Sequence, residues 1–170
     1  EGDELMDSTH NAPLDLARLL AFGRDHHALV QPLLKRLIER FDAERGFAVF
    51  TKEDGELSLQ TSHNVTPTAG QDGEAVISRT IVNDVAARRE PVLIQDALQH
   101  PVLGVQSSIR GQGIRSVMCA PMVARDRLLG VIYVDNRSIG GKFDEADLEL
   151  LSLVGSYAAA ALWSARQTEG

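Results

Sequence analysis

Residues 114–136 constrain the fold of this chain more than any other stretch. They read IRSVMCAPMVA, a short polar turn around Arg125, Asp126 and Arg127, then LLGVIYVDN. Two apolar runs joined by a few polar residues predict a β-hairpin. Both faces of each run are apolar. Val117, Cys119 and Val123 alternate with Ile114, Met118 and Met122; Leu129, Val131 and Tyr133 alternate with Leu128, Ile132 and Val134. A strand apolar on both sides is covered on both sides, so the hairpin belongs centrally in a sheet. Arg115 and Ser116 enter it, and Asp135 and Asn136 leave it. These four polar residues gather at one end of neighbouring strands, and function is expected there.

The flanking segments supply the rest of the sheet and its cover. Pro13 suits a helix start, with Leu14, Leu16, Leu19 and Leu20 as its apolar stripe. A second helix is predicted from near Gln31, with Pro32 in its first turn. Leu33, Leu34, Leu37, Ile38 and Phe41 form its buried face, and Gly46 closes the region. GFAVFTK reads as a first strand, and Leu57, Ser58, Leu59 and Gln60 as a half-exposed second. Residues 63–73 read as a loop. Ser78 is an expected cap for a helix using Ile81, Val82, Val85 and Ala86, which Arg88, Arg89 and Pro91 close. A short strand follows at 91–95. The next eighteen residues, 96–113, form a long connection of the kind that is often functional.

After the hairpin, Asp144 and Asp147 form the pattern of a helix cap, and Phe143 can pack on Leu148 across the first turn. That helix is expected to reach about Gln167, roughly 34 Å at ~1.5 Å per residue. Strands typically span ~17–20 Å, so part of it should project past the sheet. Gly155, Ser156 and the alanines at 158–161 offer a flat surface to another helix. Without strict alternation of strand and helix, the order favours an α+β fold: a central antiparallel sheet of five to six strands with helices on its faces.

Composition narrows the function. The 170 residues carry a net charge of −7, which argues against a nucleic-acid surface. No unbroken apolar run approaches the ~20 residues of a membrane span. A single cysteine leaves no internal disulfide or cysteine-based metal site, and points to the cytoplasm. None of His10, His26, His27, His63 and His100 has a partner at i, i+4 metal-ligand spacing within a predicted helix. No serine lies in a nucleophile-elbow pattern, and Gly111, Gln112 and Gly113 lead into a strand rather than a phosphate-binding helix. No enzyme chemistry is expected. Residues 1–12 read as a lead-in, 13–167 as one domain, and 168–170 as a tail toward a further domain of a longer protein.

ERGFAVF at 44–50, GIRSVMCAPMV at 113–123, LLGVIYVDN at 128–136 and FDEADLELLSLVGSYAAAAL at 143–162 together resemble a GAF domain, the sensory module of many bacterial signalling proteins. Similar stretches precede an ATPase module in activators of the alternative-sigma-factor type, a context of transcription regulation. The resemblance implies N- and C-terminal helices on one face of the sheet, with a helix and the long loop enclosing a small-molecule pocket on the other. It also implies homodimers through the terminal helices and an output domain in the same polypeptide. For a cyclic nucleotide the match is partial: Asn136 is followed by Arg137, and Phe143 is followed after three residues by Asp147 and Leu148. No cofactor is assigned, and the ligand is an unidentified small molecule. Cys119, mid-strand among apolar neighbours, reads as a buried hydrophobe rather than a chromophore attachment point. One cysteine also cannot complete the cycle of the sulfoxide-reducing relatives.

The expected ligand-binding set is Asp96, Ser107, Ser108, Arg115, Ser116, Met118, Tyr133 and Asp135, with Ile94 and Ile109 as further apolar lining. Arg115 could grip a carboxylate or phosphate. The competing reading has Arg115 pairing internally with Asp96 or Asp135. A domain that only dimerises would depend on Ala158, Ala161 and Leu162.

Overall fold

The computed structural model describes residues 26–52, 54–63, 79–101, 104 and 113–168. Its elements are α1 (His26–Phe41), β1 (Arg45–Thr51), β2 (Leu57–His63), α2 (Arg79–Arg88), β3 (Val92–Ile94), β4 (Ser116–Ala124), β5 (Arg127–Asn136) and α3 (Glu145–Thr168). The predicted helix at 13–22, the cap at Ser78 and Ile109 lie outside the described residues. Five strands form one antiparallel sheet in the order β2-β1-β5-β4-β3. The hairpin therefore supplies the middle strand and its neighbour, as its doubly apolar pattern requires.

The two faces have separate covers. Ala48, Phe50, Met118, Met122, Ile132 and Val134 pack under α1 and α3. Phe47, Val49, Val117, Cys119, Val131 and Tyr133 lie against Ile81, Val82 and Val85 of α2. Two hairpin residues fall on faces opposite to simple alternation. Ile114 precedes β4 and joins the α2 face. Leu129 joins the α3 face because the register slips between Met122, paired with Gly130, and Val123, paired with Leu128. Such a bulge inserts one residue and reverses the phase beyond it. The Thr51 hydroxyl donates there to the carbonyls of Leu128 and Leu129, at 3.0 and 3.1 Å.

The second predicted helix begins at His26, so Pro32 sits within it, not in its first turn. Pro32 is exposed, on a side where water can replace a missing backbone bond. The helix stops at Phe41 and not at Gly46. Asp42 takes a left-handed φ of 50°, and the Ala43 amide donates to Ile38 O at 2.9 Å, a helix-ending motif. Gly46 instead admits α1: a Cβ there would lie 2.9 Å from Ile38 Cδ1. Pro121 falls beyond the pairing of β4 with β3, which ends at Cys119, and a proline is tolerated at such an edge.

The cap of α3 is as read. Asp147 N donates to Asp144 Oδ1 at 2.8 Å, Asp144 N donates to Asp147 Oδ2 at 3.0 Å, and Phe143 and Leu148 are buried. The projection of α3 is smaller than expected. With ten residues, β5 is itself about 33 Å long, and α3 is buried against the sheet as far as Leu162. Gly155, Ala158, Ala161 and Leu162 are consumed by that packing and are not a free surface; a Cβ on Gly155 would lie 3.2 Å from Pro121 O. The outer stripe is Leu153, Ser156, Tyr157 and Ala160. By length and composition, residues 145–165 could cross a membrane, although polar residues interrupt their apolar runs; here they form the long core helix.

Candidate functional site

The polar end of the hairpin is where the sequence places it, and the structure divides it into two ion-pair systems. The first lies on the α2 face. Cross-strand neighbours share a face, so the pairs Arg45–Asp135 and Phe47–Tyr133 put a charged couple beside an aromatic one. Arg45 Nε and Nη2 donate to Asp135 Oδ1 and Oδ2 at 2.9 and 2.5 Å, and the Tyr133 hydroxyl donates to Oδ2 at 2.8 Å. The guanidinium lies 5.4 Å from the Phe47 ring centroid, and that ring meets Tyr133 edge-on. Arg45 is 2% exposed and Asp135 0%. Burial pushes the Asp135 carboxyl upward while Arg45 and Tyr133 pull it down. Burial also opposes the Arg45 charge, yet Asp135 holds that group above its ordinary value. Burial, reinforced by Asp135, raises the Tyr133 phenol well above its usual range, so it remains a donor.

The second system is half-exposed. Arg115 Nε and Nη2 donate to Asp96 Oδ1 and Oδ2 at 2.8 and 2.6 Å. Arg115 therefore holds the Asp96 carboxyl below the usual carboxylate range. The internal pairing weighed for Arg115 is the one seen, with Asp96 as partner and not Asp135. Buried Ser116 donates to Ile139 O at 2.6 Å and accepts from Lys142 N at 3.0 Å. The Asn136 side chain accepts from Ser138 N and Ile139 N, tying down the same turn.

Of the expected set, Asp96, Arg115, Ser116, Tyr133 and Asp135 converge at this end, while Ser107 and Ser108 lie outside the described residues. Met118 does not join them. It is buried under α1 and α3, and its neighbour Cys119 is the residue opposite Tyr133. Arg45 is the member that sequence reasoning missed. Its signal was a charged residue at the head of an apolar strand, ambiguous until Asp135, 90 positions away, is placed beside it. Cys119 is buried and unbridged, and burial raises its thiol far above the reactive range. Among the described residues no cluster of histidine, cysteine and carboxylate side chains could hold a metal ion.

A sheet with α1 and α3 on one face and α2 with a buried ion pair on the other is the frame on which comparison can be made. Residues 25–162 match the profile of the GAF domain. The chain belongs to the GAF domain family. A stretch of 96 residues is 26% identical to hybrid signal transduction histidine kinase G of Dictyostelium discoideum. That stretch covers 56% of this chain and only 3% of the kinase. Among solved structures, residues 122 to 287 of a methyl-accepting chemotaxis protein superpose with a TM-score of 0.72 at 17% identity, covering 91% of this chain and 99% of that one. The free methionine-R-sulfoxide reductase of Neisseria meningitidis, in complex with its substrate, gives 0.70 at 18% identity, covering 90% and 87%. At these identities the likeness establishes the GAF fold alone.

Proposed function

We propose that this GAF domain is a non-catalytic regulatory module of a larger cytoplasmic signalling protein. It senses a small molecule on the α2 face of the sheet and passes the signal through the terminal helices of a homodimer to an output domain. The observation that carries this reading is the asymmetry of the two faces. On the α3 face the buried polar side chains Ser116 and Asn136 are spent on the 138–142 turn, whereas the α2 face ends in the buried Arg45, Asp135 and Tyr133 set, whose polar atoms could fix a ligand's orientation among apolar walls. Membership of a family with members in a histidine kinase and a chemotaxis protein supports the regulatory role. A catalytic role like that of the reductase finds no support in Cys119, the one cysteine of the chain.

The test is a thermal-shift screen with nucleotides, amino acids and small metabolites. A ligand that binds only the folded state at a hundred times its Kd adds about 2.7 kcal/mol, several degrees in midpoint for a domain of this size. No shift from any class would remove the sensing claim.

A second reading, a ligand-free dimerisation module, is favoured by one observation. Leu153 and Tyr157, four residues apart on α3, are 53% and 51% exposed. On that reading Tyr157→Glu converts a dimer to a monomer in light scattering; an unchanged mass, dimeric or monomeric, excludes this stripe as the interface.

A further inference from the structure

Building on the sensing role, we propose that the Asp96–Arg115 pair is a latch coupling the start of the 96–113 segment to the cap of α3. The turn at 139–142 is hung on the residues around this pair. Gly141 N donates to Gln95 O at 2.7 Å, and Lys142 N and Ile139 O share the Ser116 hydroxyl. Gly140 completes the contact: a Cβ there would lie 2.9 Å from Asp96 Oδ2 and 3.4 Å from Arg115 Nη2. A side chain at 140 would thus displace the carboxylate. One residue beyond the turn, Phe143 is locked into the core, and Asp144 then caps α3. A displacement of Asp96 is therefore delivered, over a few residues, to the first turn of the 24-residue terminal helix.

Exposure explains why this pair, and not its buried neighbour, is the moving part. Opening Arg45–Asp135, at 2% and 0% exposure, would strand two charges in the interior. Asp96 and Arg115 are 23% and 34% exposed, so water can replace their bonds at small cost. A ligand that contacts residues 96–101 in only one state of this pair needs only modest differential affinity to change that state.

NMR hydrogen exchange on the unliganded chain tests the latch. Asp96→Asn should accelerate exchange at Asp147 and Leu148, whose bonds run to Asp144, by about fivefold or more. Amides at the centre of β4 and β5 should be unchanged. Coupling is reciprocal, so Gly140→Ala should accelerate Ala97 and His100, whose amides donate to Arg115 O and Ala97 O. Should the Asp96→Asn effect stop at Lys142, spread equally into the strand centres, or lack its Gly140→Ala counterpart, the latch is refuted. No ligand enters this experiment. A failed ligand screen therefore leaves it standing, and its own failure leaves ligand binding on the α2 face standing.

Discussion

At the scale of single residues, the two ion pairs make opposite predictions about stability. Asp135→Asn leaves the Arg45 guanidinium buried with a weakened partner, which should cost about 3–5 kcal/mol in urea unfolding. Asp96→Asn, at a half-exposed pair, should cost about 1 kcal/mol or less. A larger loss at Asp96 than at Asp135 would reverse the assignment of which pair is fixed. Asp96 also contributes to pH dependence, together with Asp42, held low by Lys142, and Glu44, held low by Arg137 against the effect of burial. Groups with depressed folded pKa values contribute stability that is complete above their unfolded values of about 4 and is lost as pH falls through the folded ones. The melting midpoint should hold from pH 7 to about 5 and fall below about 4, less steeply in Asp96→Asn than in the parent. Legibility at this scale was uneven. Arg115, Ser116, Tyr133 and Asp135 could be read because they punctuate apolar strands. Arg45 could not, since a charge at a strand terminus usually faces water, and only the register of β1 on β5 buries it.

Between elements, close approach decides what sequence periodicity leaves open. Gly130 sits where a Cβ would come within 2.3 Å of Val49 O and 2.7 Å of Met122 Cε. Gly130→Ala must therefore push β1 from β5 as well as shift the Met122 side chain, and should cost about 1–3 kcal/mol in chemical denaturation. An unchanged midpoint would mean that the strands are less tightly apposed. The hairpin and the Asp144/Asp147 cap were readable from local pattern, because their determinants lie within a few residues of one another. Three boundaries were not. Pro32 and Gly46 carry strong local signals, but one lies on an exposed helical side and the other admits Ile38, both tertiary facts. The bulge that turns Leu129 toward α3 depends on pairing with the other strand of the hairpin, which alternation along one strand does not reveal. The same limit put Met118 beside Tyr133 in the expected pocket, when the register sets them on opposite faces.

For the whole molecule, one shared sheet joins the α2 face, where sensing is proposed, to the layer of α1 and α3. β5 contributes Ile132 and Val134 to the terminal helices and Val131, Tyr133 and Asp135 to the other side, so neither layer can shift without the strand between them. Trp163, the one tryptophan in the chain, lies 5.5 Å from the Arg127 guanidinium carbon at the far end of α3. Its fluorescence therefore reports how the helix is seated on the hairpin. The measurement that bears most directly on the central claim is hydrogen exchange with and without a hit from the ligand screen. The account predicts slowed exchange on the α2 face, at Ile81, Val82 and Val85 and along β5 from Val131 to Asp135. Protection confined to the outer stripe of α3 around Leu153 and Tyr157, with the α2 face unchanged, would contradict it.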